Sequence, residues 1–297
     1  MSEIARAPLG VAFTAHWLRL DAILRLTRRA DALGYALVIV DGDASLAAAT
    51  AERPIYDSTA LCAATALATR VARVASIHFA HFWNAALLAR NLATLQELAG
   101  GRLVSLFGVG APRQSAPLGL PQPGAAERIT RLDETLDVVR ALLAGETVTR
   151  RGQFVALDGV RVTKPSLPSP IAVSAAGPRA LELVQRHADI WDANVPPLRA
   201  RLEPLRAKLG RALPTWIWVF ARPGESRDDA IAAYRRHAPW FAGLSEAELS
   251  DAVLWGEPER CRERLAALRA ELDVALPIAD LTGLDEKGAE RALAALV

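Results

Sequence analysis

The stretch IAVSAAGPRALELVQRHADIWDA, residues 171–193, contains a strand, a helix and a second strand in succession. The apolar run Ile171–Ala175 has the length of a buried strand. Gly177 and Pro178 follow where a helix would begin, because proline suits the first helical turn. A second short run, Ile190–Ala193, comes after the helical segment. This order predicts a βα unit and a parallel sheet.

The same alternation extends along the whole chain, and we count eight strand–helix units. Eight such units are typical of a closed (β/α)8 TIM barrel, which commonly forms one domain of this length. We therefore expect a single α/β barrel domain over residues 1–297. The predicted strands are Gly10–Thr14, Tyr35–Val40, Val71–Phe79, Leu103–Phe107, Ile171–Ala175, Ile190–Ala193, Trp216–Phe220 and Ala275–Ala279.

Between the fourth and fifth predicted strands the alternation is interrupted. A helix is predicted over Glu127–Leu143, and residues 145–170 combine glycines and prolines with short β-prone pieces. We expect a hairpin-bearing insertion over one end of the barrel. A second excursion, residues 225–272, predicts two or three helices. The β-prone pieces of the insertion are Thr147–Arg150, Gln153–Val155 and Val160–Thr163.

Composition excludes several classes of function. The chain has 35 basic and 33 acidic residues, and these are interspersed, so nucleic acid is not expected as a partner. No apolar run reaches the length of a membrane span, and Met1–Gly10 does not have the pattern of a secretory signal. The two cysteines, Cys62 and Cys261, are far apart and predict neither a disulfide framework nor a metal knuckle. We expect a cytoplasmic protein.

Catalytic groups in this fold lie at the carboxyl ends of the strands and in the loops that follow. The chain places histidines, carboxylates and aromatic residues at these ends, which favours a site for a small molecule at this mouth of the barrel. The residues concerned are His16, Asp41, Asp43, His78, His81, Phe82, Trp83, Gly108, Gly110, Ser174, Asn194, Trp216, Trp218 and Asp280.

The histidines allow two interpretations. His16, His78 and His81 could bind a metal ion with Asp280, but the closely spaced histidine pair usual in metal-dependent barrels is missing from strand 1. Histidine beside aromatic residues also suits hydrogen bonding or proton donation to a planar ligand. We favour the second interpretation and predict no metal. A packed structural histidine is an equal alternative for either His78 or His81 alone.

An anion site is predicted after the fifth strand. Ser174 and the small residues that follow end this strand, and a helix begins at once, so its first backbone amides would face the mouth. Arg179 could add a positive charge or could simply be solvated. Gly108 and Gly110, after the fourth strand, would permit the close approach of a flat ring or would merely form a tight turn.

Three segments together resemble the bacterial-luciferase-like flavin oxidoreductases. The first is a helix that ends in Gly-Gly-Arg and is followed by a strand with Gly108 and Gly110. The second is a long helix followed by Gly-Gln-Phe and two prolines, and the third is the strand and helix at residue 171 with the motif Ala-Asp-Ile-Trp. They occur in the family's order, over 86–110, 128–170 and 171–191.

This resemblance implies that reduced FMN or the deazaflavin F420 binds across the carboxyl-terminal mouth, with its phosphate at the helix after strand 5. His78 or His81 is then the preferred proton donor or peroxide stabiliser. The resemblance assigns cofactor binding to Asp41, Ser76, Gly108, Gly110, Ser174, Ala176, Gly177, Pro178 and Arg179. The substrate pocket is assigned to His16, Trp83, Asn194 and Trp218.

Different motifs of the chain resemble two different branches of the family. Asp41-Gly42 and the run Arg53–Thr69 resemble the FMN-dependent branch, whereas Gly177-Pro178 resembles the F420 branch. We expect a monooxygenase that uses reduced FMN and O2 on a small organic substrate; the FMN could be supplied by a separate flavin reductase. The alternatives are F420-dependent hydride transfer and a noncatalytic flavin-binding barrel, because Asn84-Ala85 stands where His-Pro is common in the family. Homodimerisation through barrel helices is also implied.

Overall fold

Parallel strands that alternate with helices close into a barrel, as the sequence predicts. The computed structural model describes residues 8–13, 18–43, 56–111, 116, 119–237 and 243–297. Within these ranges one sheet contains nine strands in the order β10-β9-β11-β1-β2-β3-β4-β7-β8. The pairing of β8 with β9 closes eight of these strands into the barrel.

The strands are β1 (Gly10–Phe13), β2 (Leu37–Val40), β3 (Arg73–Phe79), β4 (Leu103–Gly108), β5 (Val148–Arg151), β6 (Ala156–Val160), β7 (Ile171–Ala175), β8 (Ile190–Ala193), β9 (Thr215–Pro223), β10 (Val253–Gly256) and β11 (Leu276–Asp280). The helices are α1 (Leu20–Leu33), α2 (Ser58–Ala68), α3 (Ala85–Leu98), α4 (Ala125–Leu143), α5 (Pro178–His187), α6 (Arg199–Leu209), α7 (Arg227–His237), α8 (Glu246–Ala252), α9 (Pro258–Leu272) and α10 (Glu286–Ala295). Within the described ranges, every helix lacks the combination of length and apolar character that crossing a bilayer requires.

The barrel strands carry two sets of buried side chains because successive residues of a strand point to opposite faces. One set fills the interior of the barrel and comprises Ala12, Leu37, Ile39, Ala75, Val104, Leu106, Ala172, Trp216, Leu276 and Ile278. The other set packs under the helices and includes Val11, Val38, Val40, Val74, Phe107, Trp191, Ile217 and Val219. Two side chains that are adjacent in a strand therefore lie in different places, one in the barrel interior and the other in the helix layer.

The helix ends carry local signals of the sequence. Gly34 ends α1 in the left-handed conformation, with φ of 87°, which glycine adopts without strain. The Asp57 carboxylate accepts a hydrogen bond of 2.7 Å from the amide of Ala60 and caps α2. Pro178 occupies the first turn of α5. These local signals fix where each helix leaves the sheet.

Two charged side chains hold the turn that leads into β3. The Asp31 carboxylate, at the end of α1, accepts hydrogen bonds of 2.7–2.9 Å from the amides of residues 70–72. Arg102, just before β4, donates to the carbonyl groups of Ala66, Thr69 and Ala72. Amide and carbonyl groups of one turn are thus satisfied from opposite sides. The Gly-Gly-Arg motif contributes this arginine.

The insertion between β4 and β7 contains the predicted hairpin, but its strands differ from those predicted. Strands β5 and β6 pair in antiparallel fashion, with Arg151 opposite Ala156, and the predicted strand piece Gln153–Val155 is the turn between them. The Glu134 carboxylate of α4 accepts hydrogen bonds of 2.7–2.9 Å from all three amides of this turn. Those amides are therefore withdrawn from strand pairing, which explains the shift.

A strand that the sequence analysis missed lies in the region where only helices are predicted. The segment Val253–Gly256 forms β10 between α8 and α9 and pairs with residues 220–223 of β9. Its neighbour β8 pairs only with residues 215–217 of β9 and ends there. The outer half of β9 would otherwise present unpaired backbone groups, and β10 satisfies them. The residues of this region that the structure describes also form three helices, the upper number of those predicted.

We predict that Glu134→Gln destabilises the hairpin. Both carboxylate oxygens accept amide hydrogens, and a glutamine side chain has one acceptor oxygen and presents its NH2 group to the remaining donors. The free energy of unfolding should fall by about 1–3 kcal/mol at pH 7. Urea denaturation measures the loss, and Glu182→Gln, at an exposed position of α5, is the matched control.

The effect of Glu134→Gln should depend on pH. Burial alone raises the pKa of Glu134, but the hydrogen bonds from Phe154, Gln153 and Val155 lower it below the ordinary 4.5. A carboxylate with a lowered pKa contributes its stability above 4.5 and loses it as the pH falls through the folded-state pKa. The difference between variant and wild type should therefore shrink in acid. A difference that stays constant down to pH 3 would contradict this account.

Candidate functional site

Strand alternation selects which polar side chains point into the barrel at its carboxyl-terminal end. Asp41 follows Leu37 and Ile39 in the interior set, Ser174 follows Ala172, and Asp280 follows Ile278. Trp218 packs against the interior cluster beside Trp216. The predicted positions of these four side chains at one mouth agree with the structure. Asp41 and Asp280 are buried, while Ser174 and Trp218 are partly exposed.

Asp192 belongs to the same inner wall and was missed by the sequence analysis. It is 2% exposed, and its Oδ1 accepts a hydrogen bond of 2.8 Å from Trp218 Nε1. Ser174 donates a second hydrogen bond to this carboxylate. Burial raises the pKa of Asp192 to about 6, although the two hydrogen bonds lower it. Ile190 faces inward, so alternation along Ile190–Ala193 was the available signal for Asp192.

His78 does not face the mouth, which corrects the expected orientation. Residues 75 and 77 of β3 pack against the interior cluster, so Ser76 and His78 point into the helix layer. His78 is 1% exposed and contacts Trp83 edge to face, with ring centroids 5.6 Å apart. Burial lowers the pKa of His78, so its imidazole is neutral at neutral pH. Any influence of His78 on the mouth passes through its neighbours.

Asp43 connects the end of β2 to the end of β3 beside His78. Its carboxylate accepts hydrogen bonds of 2.8 Å from the amide of Phe79 and from Trp83 Nε1, and one of 3.2 Å from Ser58. Asp43 Oδ2 is 4.0 Å from His78 Nδ1. Burial raises the pKa of Asp43, against the influence of His78 and of these hydrogen bonds. The cluster anchors Trp83, whose side chain is half-buried at the rim.

His81 lies at the rim of the mouth and stacks on Phe79, with centroids 6.1 Å apart and planes 10° from parallel. Burial, with smaller contributions from Arg128 and Arg131, lowers the pKa of His81 to about 4. A neutral imidazole is therefore available there. His81 Nε2 is buried and has no hydrogen-bond partner among the described residues.

The two glycines after the fourth strand accommodate rings of the chain itself. A Cβ on Gly108 would lie 2.9 Å from Phe79 Cε1. A Cβ on Gly110, whose φ is +69°, would lie 2.7 Å from His81 Cε1. The close approach of a flat ring that these glycines predict is thus provided by Phe79 and His81.

The amino terminus of α5 opens to solvent at the carboxyl-terminal mouth. Gly177 is the capping residue, with φ of −77° and ψ of 152°, and no side chain caps the helix. A Cβ on Gly177 would meet no described atom within 4 Å. Gly177, Pro178 and Arg179 are exposed, and the first amides of a helix have no intrahelical acceptor. This end of the helix suits an anion.

The remaining predicted residues are dispersed. Ser76 is 1% exposed, in the helix layer, and a Cβ on Gly42 would lie 2.8 Å from its Oγ. Ala176 is half-buried beside the α5 terminus, Asn194 is exposed after β8, and His16 lies outside the described residues. Among the residues that the structure describes, no three or more His, Cys, Asp or Glu side chains are grouped so that they could hold a metal ion.

Comparison with known families gives one match over most of the chain. The family model described as luciferase-like monooxygenase matches residues 8–248. This range contains the first seven barrel strands, the insertion and the amino terminus of α5. The three segments that carry the resemblance all lie inside it.

Known proteins show similarity of two kinds. F420-dependent glucose-6-phosphate dehydrogenase from Beutenbergia cavernae is 41% identical over 103 residues, which are 34% of this chain and 31% of that protein. The structure of an F420-dependent secondary alcohol dehydrogenase with an F420-acetone adduct superposes with a TM-score of 0.78 at 17% identity, covering 98% of this chain and 99% of the other. The oxygenating constituent of 3,6-diketocamphane monooxygenase from Pseudomonas putida, in complex with FMN, gives 0.72 at 16%, covering 98% and 97%. The structural likeness concerns the fold.

We predict that Gly110→Ala destabilises the protein more than the same substitution at a glycine that has a positive φ and open space around it. The new Cβ adds an overlap with the His81 ring to the strain of a positive φ. Gly159→Ala is the matched control, since Gly159 has φ of +60° and no described atom near a Cβ. Gly110→Ala should cost about 1–3 kcal/mol more stability than the control in chemical denaturation.

The same variant should change the titration of His81. Displacement of the ring toward water would raise its pKa from about 4 toward the ordinary 6.5, which nuclear magnetic resonance (NMR) detects. Equal destabilisation by both alanine variants, with an unchanged His81 titration, would refute the contact.

Proposed function

Because this chain belongs to the luciferase-like monooxygenase family, we propose that it is an oxidoreductase that binds a reduced flavin or deazaflavin across the carboxyl-terminal mouth of its barrel. The observation that carries the proposal is the exposed, uncapped amino terminus of α5 beside the inner wall of Ser174 and Trp218. A phosphate-bearing cofactor with a planar ring needs both an anion site and a wall of this kind.

Between the two cofactors we favour F420, which reverses the preference drawn from the sequence. The relative with 41% identity carries F420 dependence in its name, and the Gly177-Pro178 turn resembles the F420 branch. The chain spans about a third of that relative's length, so only the cofactor in its name, and not its sugar phosphate substrate, supports the proposal. Reduced FMN with O2 remains the second candidate, supported by the resemblance of Asp41-Gly42 and residues 53–69 to the FMN-dependent branch.

The described residues fit such a cofactor at its phosphate end. An uncapped helix terminus with open space above Gly177 accepts an anion without rearrangement, and Arg179 is exposed next to it. The ring end would lie against the inner wall formed by Ser174 and Trp218. When bound, F420 would supply hydride transfer and FMN would supply oxygen activation. The chain contributes position, the wall of Ser174 and Trp218, and hydrogen bonds.

At the rim, His81 can orient a ligand but is a poor source of protons. With a pKa of about 4, its ring is neutral at neutral pH, and its Nε2, which has no partner among the described residues, can take part in one hydrogen bond. His78 is enclosed in the helix layer and reaches no ligand in the mouth. We therefore assign the direct role to His81 and a supporting role to His78.

The proposed function is tested first by binding. The purified protein should bind F420 more tightly than FMN, measured by fluorescence titration. Gly177→Asp should weaken the preferred cofactor at least tenfold, because the new carboxylate would occupy the α5 amides and repel phosphate. Gly177→Ala adds a methyl group in open space and should leave affinity within about twofold.

The cofactor titration tests both the phosphate site at α5 and the proposed function. If Gly177→Asp binds the cofactor as tightly as the wild type does, the cofactor phosphate does not bind at the amino terminus of α5. Binding of neither cofactor by the wild-type protein would overturn the proposed function. Binding without reduction, oxidation or oxygen consumption across a panel of alcohols, aldehydes, ketones and imines would favour a noncatalytic flavin-binding barrel.

We predict that the two histidines differ when each is replaced. His81→Ala should lower turnover about 10- to 100-fold and change cofactor affinity little, because a hydrogen bond of 1.4–2.8 kcal/mol to the reacting ligand would be lost. His78→Ala should instead lower the unfolding temperature, since it empties a buried site against Trp83 and Phe107. Steady-state kinetics and thermal unfolding separate the two effects. Equal turnover in His81→Ala and wild type would exclude His81.

A further inference from the structure

Asp192 is a buried acid on the inner wall of the mouth, and it has no role in the function proposed above. Its carboxyl group lies between β7 and β9 and is bound by one group from each, Ser174 Oγ and Trp218 Nε1. Asp192 is 2% exposed, whereas Ser174 and Trp218 are partly exposed at the mouth. Ser174 therefore connects an enclosed acid to the space where a ligand would bind.

No cation compensates this acid among the described residues. Strand β7 has no titratable side chain, and Asp189 at the start of β8 is bound to the amide of Ile171 and to Arg140. Arg222, near the end of β9, donates to the carbonyl of Thr282 and lies over the Phe220 ring. Asp41 and Asp280 end two other barrel strands. None of these groups contributes to the pKa of Asp192, which burial raises and the hydrogen bonds from Ser174 and Trp218 lower.

An aspartate in this state can hold a proton under conditions where an exposed aspartate has lost it. Burial disfavours the charged form, and its pKa near 6 lies within the range where proton transfer in both directions is efficient. The neighbouring hydroxyl group can accept a proton and donate another at the same time, which an indole N–H cannot. The path from Asp192 to the mouth therefore runs through Ser174 and not through Trp218.

We propose that Asp192 stores the proton of a reaction at a carbon–oxygen group and that Ser174 Oγ passes it to and from the substrate. This inference rests on the proposed function and gives the substrate class as an alcohol and its carbonyl partner. In the reducing direction, the carbonyl carbon would accept a hydride, which bound reduced F420 would supply. The carbonyl oxygen takes the Ser174 hydroxyl proton, and Ser174 takes the proton of the Asp192 carboxylic acid, which becomes a carboxylate. Oxidation of the alcohol reverses every transfer.

The first test uses the cofactor-free protein. Trp218 Nε1 donates to Asp192, so the NMR signal of this indole proton should shift with the ionisation of Asp192, with a midpoint near pH 6. Trp218→Phe identifies the signal by its loss. The shift should vanish in Asp192→Asn and persist in Ser174→Ala. A wild-type signal that does not titrate between pH 4.5 and 8 would overturn the proposal.

The second test uses the protein with its cofactor. Asp192→Asn and Ser174→Ala should each lower turnover at least about 100-fold, the usual contribution of a positioned proton donor. Asp192→Asn, at an enclosed position, should also leave cofactor affinity within about twofold. In the wild-type protein, carbonyl reduction should fall and alcohol oxidation should rise as the pH increases through 6. Structural damage caused by a substitution can be distinguished from loss of the proton path, because damage would lower cofactor affinity and unfolding temperature together.

The outcomes distinguish this inference from the proposed function. If the wild type binds neither cofactor, the proposed function fails whatever the titration of Asp192 shows. If the wild type turns over and either variant keeps its full rate and pH profile, the proton path fails and the proposed function stands.

Discussion

The organisation of the mouth depends on one geometric constraint, the alternation of side chains along strands in a closed parallel sheet. Each barrel strand sends one set of residues inward and the next set under the helices, and the pairing of β8 with β9 extends this rule around the barrel. Neighbours in sequence therefore have unrelated environments. Ile77 belongs to the barrel interior, whereas His78 is enclosed against Trp83 in the helix layer.

Much of the fold could be predicted because its signals are local. Strands β7 and β8 coincide with the predicted runs, and Gly34, Asp57 and Pro178 mark helix ends through their own backbone and side-chain chemistry. Strand β10 could not be predicted in this way, because a four-residue run becomes a strand only where β9 offers unpaired backbone groups. The hairpin register likewise depends on Glu134, which is distant in sequence from the turn it binds.

The candidate site also combines features with local sequence signals and features that depend on distant residues. The α5 terminus is visible in the sequence, since small residues, Gly177 and Pro178 are contiguous. The inner wall is not contiguous, because Ser174, Asp192 and Trp218 come from three strands and meet only after closure. Reading inner-face positions strand by strand would have found Asp192 and would have removed His78 from the mouth. For Gly108 and Gly110 the sequence allowed either the close approach of a flat ring or a tight turn, and packing shows that the rings of Phe79 and His81 lie close to them.

The turn of residues 70–72 shows how closure is protected against local opening. Its amides are bound by Asp31 and its carbonyl side by Arg102, so groups from α1 and from the approach to β4 hold one short segment. Burial raises the pKa of Asp31, but the amides of Ala72, Val71 and Arg70 lower it below its ordinary value. For these amides to exchange hydrogen with water, the carboxylate must release them. The entrance of β3 therefore opens only together with the end of α1 and the approach to β4, as one cooperative unit.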